Sequence, residues 1–316
     1  MSERILIIGS SGMVGVSLAL ALREKFGGEN VIASDVREEN PALKGSGPYM
    51  ALDALKKDAV KKVIEAEKIT SVYLLAGLMS AGAEKNPNLA WDLNMNGLKN
   101  LLDLAVDLKF KIFWPSSIAV FGPTTPRENT PQHTILEPSM IYGVTKLAGE
   151  LLCQYYFNRY GVDVRSLRYP GLISWKSEPG PGTTEYAVEI FYGALKENKF
   201  TCPLGPDTYL PMMYMEDAIR GTLELMAAPG EKIKNRTSYN FSAISFSPAE
   251  IAEEVKKLVP GFEIEYEPDF RQAIADSWPK SIDDNEARRD WGWRHEYDLP
   301  KMTEVMLKNL KIKLNV

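Results

Sequence analysis

The sequence predicts an α/β protein with a doubly wound parallel sheet and a smaller α/β C-terminal substrate domain. Two observations carry this prediction. Short apolar runs alternate with helical patterns over the first 170 residues, and a glycine-rich turn directly follows the first apolar run. Strand–helix alternation implies a parallel sheet with helices on both faces. Right-handed crossovers then give the doubly wound arrangement known as the Rossmann fold.

The elements of the first half follow from the period of the apolar residues. Val14, Leu18, Leu22 and Phe26 recur every fourth residue after the glycine turn and form one apolar helical stripe. Short apolar runs without that period are predicted to be the buried strands of the sheet. These predicted strands span residues 5–8, 31–34, 72–76, 112–115 and 164–167.

The composition changes after Pro170, which suggests a division of the chain. Residues 174–186 are rich in proline, glycine, serine and threonine and are predicted to form a long loop. We expect residues 1–170 to form the nucleotide-binding domain and residues 171–316 to form mainly the substrate-binding region. This division leaves open that some segments of the second part, such as about 205–242, pack with the first domain.

Two helices of the second part are indicated by their ends. Ser247 and Glu250, with Pro248 between them, have the pattern of a capping box with proline in the first helical turn. Residues 299–314 are amphipathic and end in basic residues, which suits a closing helix.

Composition argues against several classes of protein. The 316 residues carry a net charge of −5, whereas nucleic-acid binding needs a basic surface, so we expect no nucleic-acid partner. Cys153, Cys202, His133 and His295 are too few and too scattered for a disulfide framework or a zinc site, and we expect no metal. No apolar segment is as long as a secretory or membrane-spanning one, so we expect a cytoplasmic protein without a membrane partner.

The segment GSSGMVG at residues 9–15 indicates a dinucleotide site. Gly9 permits a tight turn, Gly12 lets backbone N–H groups approach a pyrophosphate, and Gly15 lets helix and strand pack closely. The helix that begins here adds partial positive charge at its N-terminus. The alternative is a glycine-rich turn with a purely structural role.

Asp35 ends the second strand and predicts NAD rather than NADP as the cofactor. A carboxylate at this place accepts hydrogen bonds from the adenosine ribose hydroxyls and repels a 2′-phosphate. Arg37 complicates the prediction, because arginine can receive that phosphate, and Asp35 is also a common residue type at a strand end. Asp53 is expected near the adenine, with a helix N-cap as the alternative role.

Tyr142 and Lys146 form a candidate proton-transfer pair, since residues four apart share one face of a helix. A nearby ammonium favours the phenolate and lowers the pKa of a phenol, which is near 10 when free. Such a pair also occurs by chance, so its context matters. Ser116 and Ser117 end the preceding strand, at the edge where such sheets bind ligands, and either hydroxyl can donate to a developing alkoxide. Ordinary turn capping is the alternative for both serines.

Together these motifs resemble the extended short-chain dehydrogenase/reductase family, and the resemblance extends over essentially the whole chain. It rests also on LLAG at residues 74–77 and SIAVFG at residues 117–122, where Phe121 stands in place of a common tyrosine. The resemblance implies that Ser117 joins Tyr142 and Lys146 as the catalytic residues. It implies NAD contacts from Gly9, Ser11, Gly12, Met13, Val14, Gly15, Asp35, Val36, Arg37, Leu52, Asp53, Leu75, Ala76, Gly77, Asn94, Ser116, Tyr142, Lys146, Tyr169 and Leu172.

Three later segments, at residues 180–186, 210–218 and 274–283, resemble the members of this family that act on L-threonine. This resemblance implies oxidation of the 3-hydroxyl of L-threonine to 2-amino-3-oxobutyrate, with NADH formed. A zwitterionic substrate needs polar partners, and the expected substrate contacts are Ser80, Ser117, Tyr142, Thr183, Thr184, Glu185 and Trp278. Helix capping is the alternative role for residues 183–185, and a place in the apolar core is the alternative for Trp278.

Two other functions stay open at this point. A nucleotide-sugar epimerase or reductase of the same family needs arginines for a diphosphate, and Arg271, Arg288 and Arg289 are candidates. A non-catalytic NAD-binding regulator would be expected to lack the tyrosine or the lysine. A 4,6-dehydratase is disfavoured because Ile118 and Ala119 stand where its acidic pair would fall.

The resemblance also implies a homodimer or higher homo-oligomer. Many relatives pair through two helices of each subunit, and the helices predicted over residues 89–108 and 140–159 would supply that face here.

Overall fold

The computed structural model of the chain describes residues 3–180 and 182–316, except for the side chain of Ala81. The helices are α1 Met13–Phe26, α2 Lys57–Ala66, α3 Ser80–Lys85, α4 Pro87–Trp91, α5 Gly97–Leu108, α6 Ile141–Tyr160, α7 Tyr186–Lys196, α8 Met215–Ala227, α9 Pro248–Leu258, α10 Phe270–Asp276, α11 Asn285–Trp291 and α12 Leu299–Leu314. The strands are β1 Ile5–Ile8, β2 Val31–Asp35, β3 Tyr49–Ala51, β4 Ser71–Leu74, β5 Lys111–Phe113, β6 Ser116–Ser117, β7 Val164–Arg165, β8 Leu167–Tyr169, β9 Gly171–Ile173, β10 Lys199–Cys202, β11 Leu210–Tyr214, β12 Tyr239–Asn240, β13 Ile244–Phe246 and β14 Glu263–Tyr266.

The main sheet has six strands in the order β3-β2-β1-β4-β5-β7, and every pairing in it is parallel. Chain order reverses between β1 and β4, so the carboxyl ends of these strands flank the crevice where such sheets bind ligands. All four residues of β1 are buried, as expected for a strand covered on both faces. The prediction of a doubly wound parallel sheet is confirmed.

The predicted strands all occur, with shifted ends. The first has the predicted bounds, and the others differ from the prediction by one or more residues. The edge strand β3 was not anticipated, because three residues next to Pro48 carry too short a pattern to be distinguished from a loop. The predicted closing helix has the bounds of α12, and the capping box of Ser247 and Glu250 is present at the start of α9.

The second part of the chain forms smaller sheets and most of a second core, to which residues 118–121 also contribute. Strand β11 pairs with β9 and β13, and β10 pairs with β14. Helices α7, α9 and α12 pack together around a large apolar cluster that includes Phe191, Ile251 and Met306. The returning segment is also visible: α8 packs on α1, and Met213 and Phe241 share a core with Ile5 of the main sheet. The division at residue 170 stays a prediction.

Strands β6, β8 and β12 form a fourth sheet, which has three strands and is parallel. It places Ser116 and Ser117 beside Arg168 and Tyr169. Within the described residues, no helix combines the length and the apolar character needed to cross a membrane.

Candidate active site

The first cavity, of about 400 Å³, lies over the glycine turn at the carboxyl ends of the central strands. Most of the residues predicted to contact the cofactor line it. These are Gly9, Gly12, Met13, Val14, Gly15, Asp35, Val36, Arg37, Leu52, Asp53, Leu75, Ala76 and Gly77. Asp53 lines the cavity and accepts a hydrogen bond from the N–H of Leu55 at 2.9 Å in the turn before α2. The alternative role of Asp53 as a helix N-cap is wrong, because the N-cap of α2 is Lys56.

The glycine turn has the shape that a diphosphate requires. Gly9 has a φ of +96°, and a Cβ there would lie 2.4 Å from the backbone nitrogen of Ala76. A Cβ on Gly12 would meet no protein atom closer than 3.7 Å and would occupy the cradle itself. Helix α1 begins immediately after Gly12 and has no side-chain cap, so its first N–H groups are free to bind an anion. These residues therefore fit a dinucleotide.

Asp35 lies in the wall of this cavity, and its carboxylate is held by three groups. The N–H groups of Ser11 and Arg37 donate to it at 3.0 and 3.1 Å, and the Arg37 guanidinium bonds both oxygens at 3.0 Å. Although burial opposes ionisation, these hydrogen bonds keep the pKa of Asp35 below its usual range. The carboxylate is therefore charged at neutral pH, with Arg37 paired to it.

The remaining predicted cofactor residues do not line this cavity. Asn94 accepts a hydrogen bond from the N–H of Leu78 and donates to its carbonyl, which fixes the wall behind Gly77. The Ser116 hydroxyl donates to Glu150 beneath the sheet. Tyr169 points into the core, where its hydroxyl bonds Thr222. Any contact of Ser116 or Tyr169 with a cofactor would therefore come from the backbone. Leu172, of β9, packs beside the apolar core of the main sheet.

Tyr142 and Lys146 lie in the first two turns of α6, as predicted, and Ser117 faces them from the end of β6. Gly143 allows this close approach, because a Cβ there would lie 2.1 Å from the carbonyl oxygen of Ala119. The Lys146 ammonium donates to the Pro115 carbonyl at 2.6 Å and lies 4.5 Å from the centre of the Trp114 ring.

The pKa shifts of the pair differ from the sequence-based expectation. Burial raises the pKa of the Tyr142 phenol, and the neighbouring Ser117 hydroxyl opposes this shift without cancelling it. Burial also lowers the pKa of Lys146 to about 7, against the attraction of Cys153 and Glu150. In this arrangement desolvation of the phenol outweighs any lowering of its pKa by the ammonium, and the lowering expected from the ammonium together with the positive nicotinamide ring stays a prediction.

The second cavity, of about 320 Å³, opens beside the first and shares Leu78 and Met79 with it. It brings together all the residues predicted to contact the substrate, namely Ser80, Ser117, Tyr142, Thr183, Thr184, Glu185 and Trp278. Its other walls come from Leu78, Met79, Gly82, Ile118, Gly171, Gly180 and Gly182. No lysine or arginine lines it among the described residues.

The loop before α7 brings polar groups into this second cavity. Glu185 accepts a hydrogen bond from the Gly180 N–H at 3.0 Å, and burial raises the pKa of its carboxyl. Thr183 is buried, and the side chain of Thr184 packs against Gly171. Pro181 of the predicted loop lies outside the described residues. Trp278 combines both predicted roles, since it belongs to the core of the second part and also lines the cavity.

Sequence reasoning missed several wall residues, above all Leu78, Met79 and Ile118. Leu78 and Met79 directly follow the predicted contact Gly77 at the carboxyl end of β4. Their position at that sheet edge was the available signal. Their apolar side chains carry no reactive group, and so no sequence motif distinguishes them from core residues.

Fold and site together define a dinucleotide-binding oxidoreductase with a tyrosine–lysine pair, whose tyrosine lines the second cavity. The NAD dependent epimerase/dehydratase family matches residues 5–241. The chain therefore belongs to the NAD dependent epimerase/dehydratase family, which confirms the resemblance seen in the sequence, and its cofactor is NAD. Among the described residues, no group of three or more His, Cys, Asp or Glu side chains could hold a metal ion.

Individual relatives are similar over nearly the whole chain. The mitochondrial L-threonine 3-dehydrogenase of Bos taurus is 49% identical over 306 residues, which cover 96% of this chain and 82% of that protein. A GalE-like L-threonine dehydrogenase from Cupriavidus necator, solved in its holo form, superposes with a TM-score of 0.95 at 52% identity, covering 98% of this chain and all of that one. A monomeric L-threonine 3-dehydrogenase from a metagenome superposes with a TM-score of 0.93 at 47% identity, covering 99% and 100%.

Proposed function

We propose that this protein oxidises the 3-hydroxyl of L-threonine to 2-amino-3-oxobutyrate, with NAD as the hydride acceptor, in threonine catabolism. The observation that carries the proposal is the second cavity, in which the hydroxyls of Ser117 and Tyr142 face the polar loop residues Thr183 to Glu185. Relatives named for this reaction are about half identical to the chain along nearly its full length.

The cofactor cavity supplies one side of the reaction. Backbone N–H groups at the start of α1 would hold the diphosphate, and Asp35 would hold the adenosine ribose. When bound, NAD supplies the hydride acceptor, which takes the hydrogen from C3 of the substrate. Gly77 and Leu78 continue this wall towards the second cavity, where the alcohol has to lie.

Tyr142 is the proposed base. Its oxygen, as phenolate, accepts the proton of the substrate hydroxyl while Ser117 donates a hydrogen bond to the same substrate oxygen. Burial raises the pKa of the phenol, so positive charge is needed to generate the phenolate near neutral pH. Lys146, one turn along α6, carries that charge on part of the molecules at neutral pH. Loss of one proton and one hydride converts the alcohol to the ketone.

The second cavity suits an amino acid in charge and in shape. Glu185 offers a carboxylate to the substrate ammonium, and the hydroxyls of Ser80, Thr183 and Thr184 are the available partners for the substrate carboxylate. Leu78, Ile118 and Trp278 supply apolar surface for the methyl group and reduce the access of water.

The arginines required for a nucleotide sugar are occupied elsewhere. Arg271 pairs with Asp269 and lies 3.9 Å from Glu189, whereas Arg288 pairs with Asp284 and Arg289 with Asp290. None of these three arginines lines the second cavity. This distribution favours an amino acid over a nucleotide diphosphate as the substrate.

A substrate panel tests the proposal. Purified protein with NAD is given L-threonine, D-threonine, L-serine, a UDP-hexose or a dTDP-hexose, and the absorbance of reduced nicotinamide is followed. We expect L-threonine to give the highest kcat/KM and the nucleotide sugars to give none. Turnover of a nucleotide sugar without turnover of L-threonine would contradict the assignment. Tyr142→Phe in each assay separates the site described here from background reduction.

We also propose that the protein forms a homodimer in the cytoplasm. Apolar side chains are exposed on two helices. They belong to Leu89 and Trp91 of α4 and to Val144, Leu151 and Tyr155 of α6. Helices α4 and α6 pack against each other, and these residues are the proposed helical contact face of each subunit. The monomeric relative shows that the same fold also exists without such pairing.

A further inference from the structure

A buried ionic network lies directly beneath the proposed catalytic residues. Glu150 follows Lys146 by one turn of α6, and its side chain is 1% exposed. Arg168 bonds both carboxylate oxygens of Glu150, from Nε at 2.9 Å and from Nη2 at 2.7 Å. The Ser116 hydroxyl donates to the same carboxylate at 2.5 Å. Helix α6, strand β6 and strand β8 are therefore joined at one carboxylate.

This arrangement determines which way Ser117 points. Successive side chains of a strand face opposite sides of its sheet. Because the Ser116 side chain is held towards Glu150, that of Ser117 faces the substrate cavity, whose wall it forms. The same carboxylate attracts the Lys146 ammonium from four residues along the helix. One group thus acts on two of the three proposed catalytic residues.

The network continues from Arg168 to the substrate side of the site. Its Nη1 donates to the Asn240 side-chain oxygen at 3.0 Å and to the Gln132 carbonyl at 3.2 Å. The Asn240 amide donates to the carbonyls of Thr130 and Asp283, both at 3.0 Å.

Two further contacts tie the neighbouring loop to the cavity wall. Thr130 and Ile282 form an isolated parallel β-bridge. The Arg127 side chain donates a hydrogen bond to the Trp278 carbonyl at 3.2 Å. A continuous series of contacts therefore connects the catalytic helix with the segment that carries Trp278.

The contribution of a buried ion pair to the free energy of folding does not by itself explain why the pair is present. Two charges buried together lose hydration, and well-packed apolar residues of similar size are often at least as stable. A bidentate pair of arginine and carboxylate instead fixes the relative orientation of the two side chains, because both hydrogen bonds must form at once.

We propose that Glu150 and Arg168 are positioning residues, which set Ser117 and Lys146 relative to each other and to the Trp278 segment. This inference rests on the proposed role of Tyr142, Ser117 and Lys146, but not on the identity of the substrate. Neither Glu150 nor Arg168 lines the described cavities, and so both act through other residues.

The test compares Glu150→Gln with the matched variant Asp217→Asn. Asp217 is a fully buried carboxylate that pairs with Arg220 and accepts backbone hydrogen bonds from Glu296 and Tyr297, and it lines neither cavity. Both variants replace a buried carboxylate by its amide. Both should lower the thermal midpoint, whereas only Glu150→Gln should lower kcat at a temperature where each is folded. A loss of about 10- to 100-fold is expected for this misplacement.

The KM for NAD should stay within about twofold in both variants, because Glu150, Arg168 and Asp217 do not line the cofactor cavity. Turnover is measured with whichever substrate of the panel the wild-type protein oxidises fastest, so failure of L-threonine as substrate leaves the comparison intact. Hydrogen exchange of residues 116–122 gives a readout without any substrate, and it should accelerate in Glu150→Gln but not in Asp217→Asn.

Ser116→Ala is the milder variant, for the case that Glu150→Gln does not fold. It removes one hydrogen bond to Glu150 and leaves the ion pair with Arg168 in place. We expect a several-fold loss of kcat and faster exchange at residues 116–122. The proposal is overturned if folded Glu150→Gln or Ser116→Ala keeps native kcat and native exchange. It is equally overturned if Asp217→Asn loses as much kcat.

Discussion

Lys146 Nζ lies 5.6 Å from the centre of the Tyr142 ring, one turn along the same helix, and donates its hydrogen bond to Pro115. An effect of the lysine on the phenol would therefore be exerted through space and not through a hydrogen bond. Its effect depends on whether the amine is protonated, and its pKa of about 7 makes that state sensitive to conditions near neutrality.

Replacing Tyr142 by phenylalanine should remove the proton acceptor and leave the cavity shape almost unchanged. We expect kcat to fall by about 10²- to 10⁴-fold, with the KM for NAD nearly unchanged. Steady-state kinetics with L-threonine measure this. Tyr160→Phe removes a phenol from the far end of the same helix and should have native kcat. A Tyr142→Phe protein that turns over at a tenth of the native rate or more would contradict the assignment.

Replacing Lys146 by methionine should stabilise the protein at neutral pH while it abolishes turnover. The amine has a pKa of about 7 when folded and 10.5 as its ordinary value. Between these two pH values the unfolded chain binds a proton that the native protein does not, so this lysine makes the native state less stable as the pH falls from 10.5 to 7.

Methionine removes that penalty, and we expect an increase of about 2–4 kcal/mol in the free energy of unfolding at pH 7, after allowance for the lost hydrogen bond to Pro115. The gain should shrink as the pH rises towards 10.5. Urea unfolding at several pH values measures both. The exposed Lys62→Met should show no such pH-dependent difference. Equal stability of Lys146→Met and wild type at all pH values would show that the lysine is not buried in the way described.

Asp35→Ser should relax the preference for NAD over NADP. The change removes a buried carboxylate and releases the Arg37 guanidinium, which is bonded to it on both oxygens. A free arginine can then receive a 2′-phosphate. We expect the ratio of kcat/KM for NAD to that for NADP to fall by about 10- to 100-fold. Glu39→Gln, on the same loop, should leave the ratio as it is.

Glu185→Gln should weaken the binding of the substrate more than the chemistry. The carboxylate lines the substrate cavity and is partly desolvated, so its attraction for an ammonium is stronger than at the surface. We expect the KM for L-threonine to rise about tenfold or more, with a smaller effect on kcat. Glu189→Gln is the matched control, one turn along α7 and paired with Arg271 outside the cavity. Equal effects of the two variants would argue against a role for Glu185 in the site.

Leu151→Arg should separate the proposed dimer. The residue is exposed on α6, and a charge at the centre of an apolar contact between two copies costs several kcal/mol. Sedimentation should give a dimer for the wild type and a monomer for the variant. Leu258 on α9 is also exposed, and Leu258→Arg should leave the mass of the dimer unchanged. A monomeric wild-type protein would end this proposal and leave the active site unaffected.

The fold was predictable because its signals are local. The glycine turn, the buried strands and the capping box of α9 each follow from residues close together in the sequence. Both ends of β3 and the pairing of β9 with β11 depend on partner strands that are distant in the sequence, so no local pattern predicts them. The site shows the same division. Tyr142 and Lys146 form a pattern in one helix, whereas the Glu150–Arg168 pair joins elements that are distant in sequence.

Two details of the site were beyond the reach of sequence patterns. Residues Asp92–Asn96 form a π-helical turn, which brings Asn94 into the buried space beside Leu78 and Thr145. A widened turn of this kind leaves no periodic signature, although such turns often lie at functional sites. The pKa values of Tyr142 and Lys146 depend on burial, which is a property of the packed molecule.

Leu78 and Met79 form part of the wall of both cavities. An alcohol that entered the smaller cavity first would meet an incomplete surface on that side, open towards the space above the glycine turn. A dinucleotide bound above the glycine turn would lie beside these two shared residues and would cover that side of the compartment. The two ligands are therefore expected to add in a compulsory order, dinucleotide before alcohol, and to leave in the reverse order.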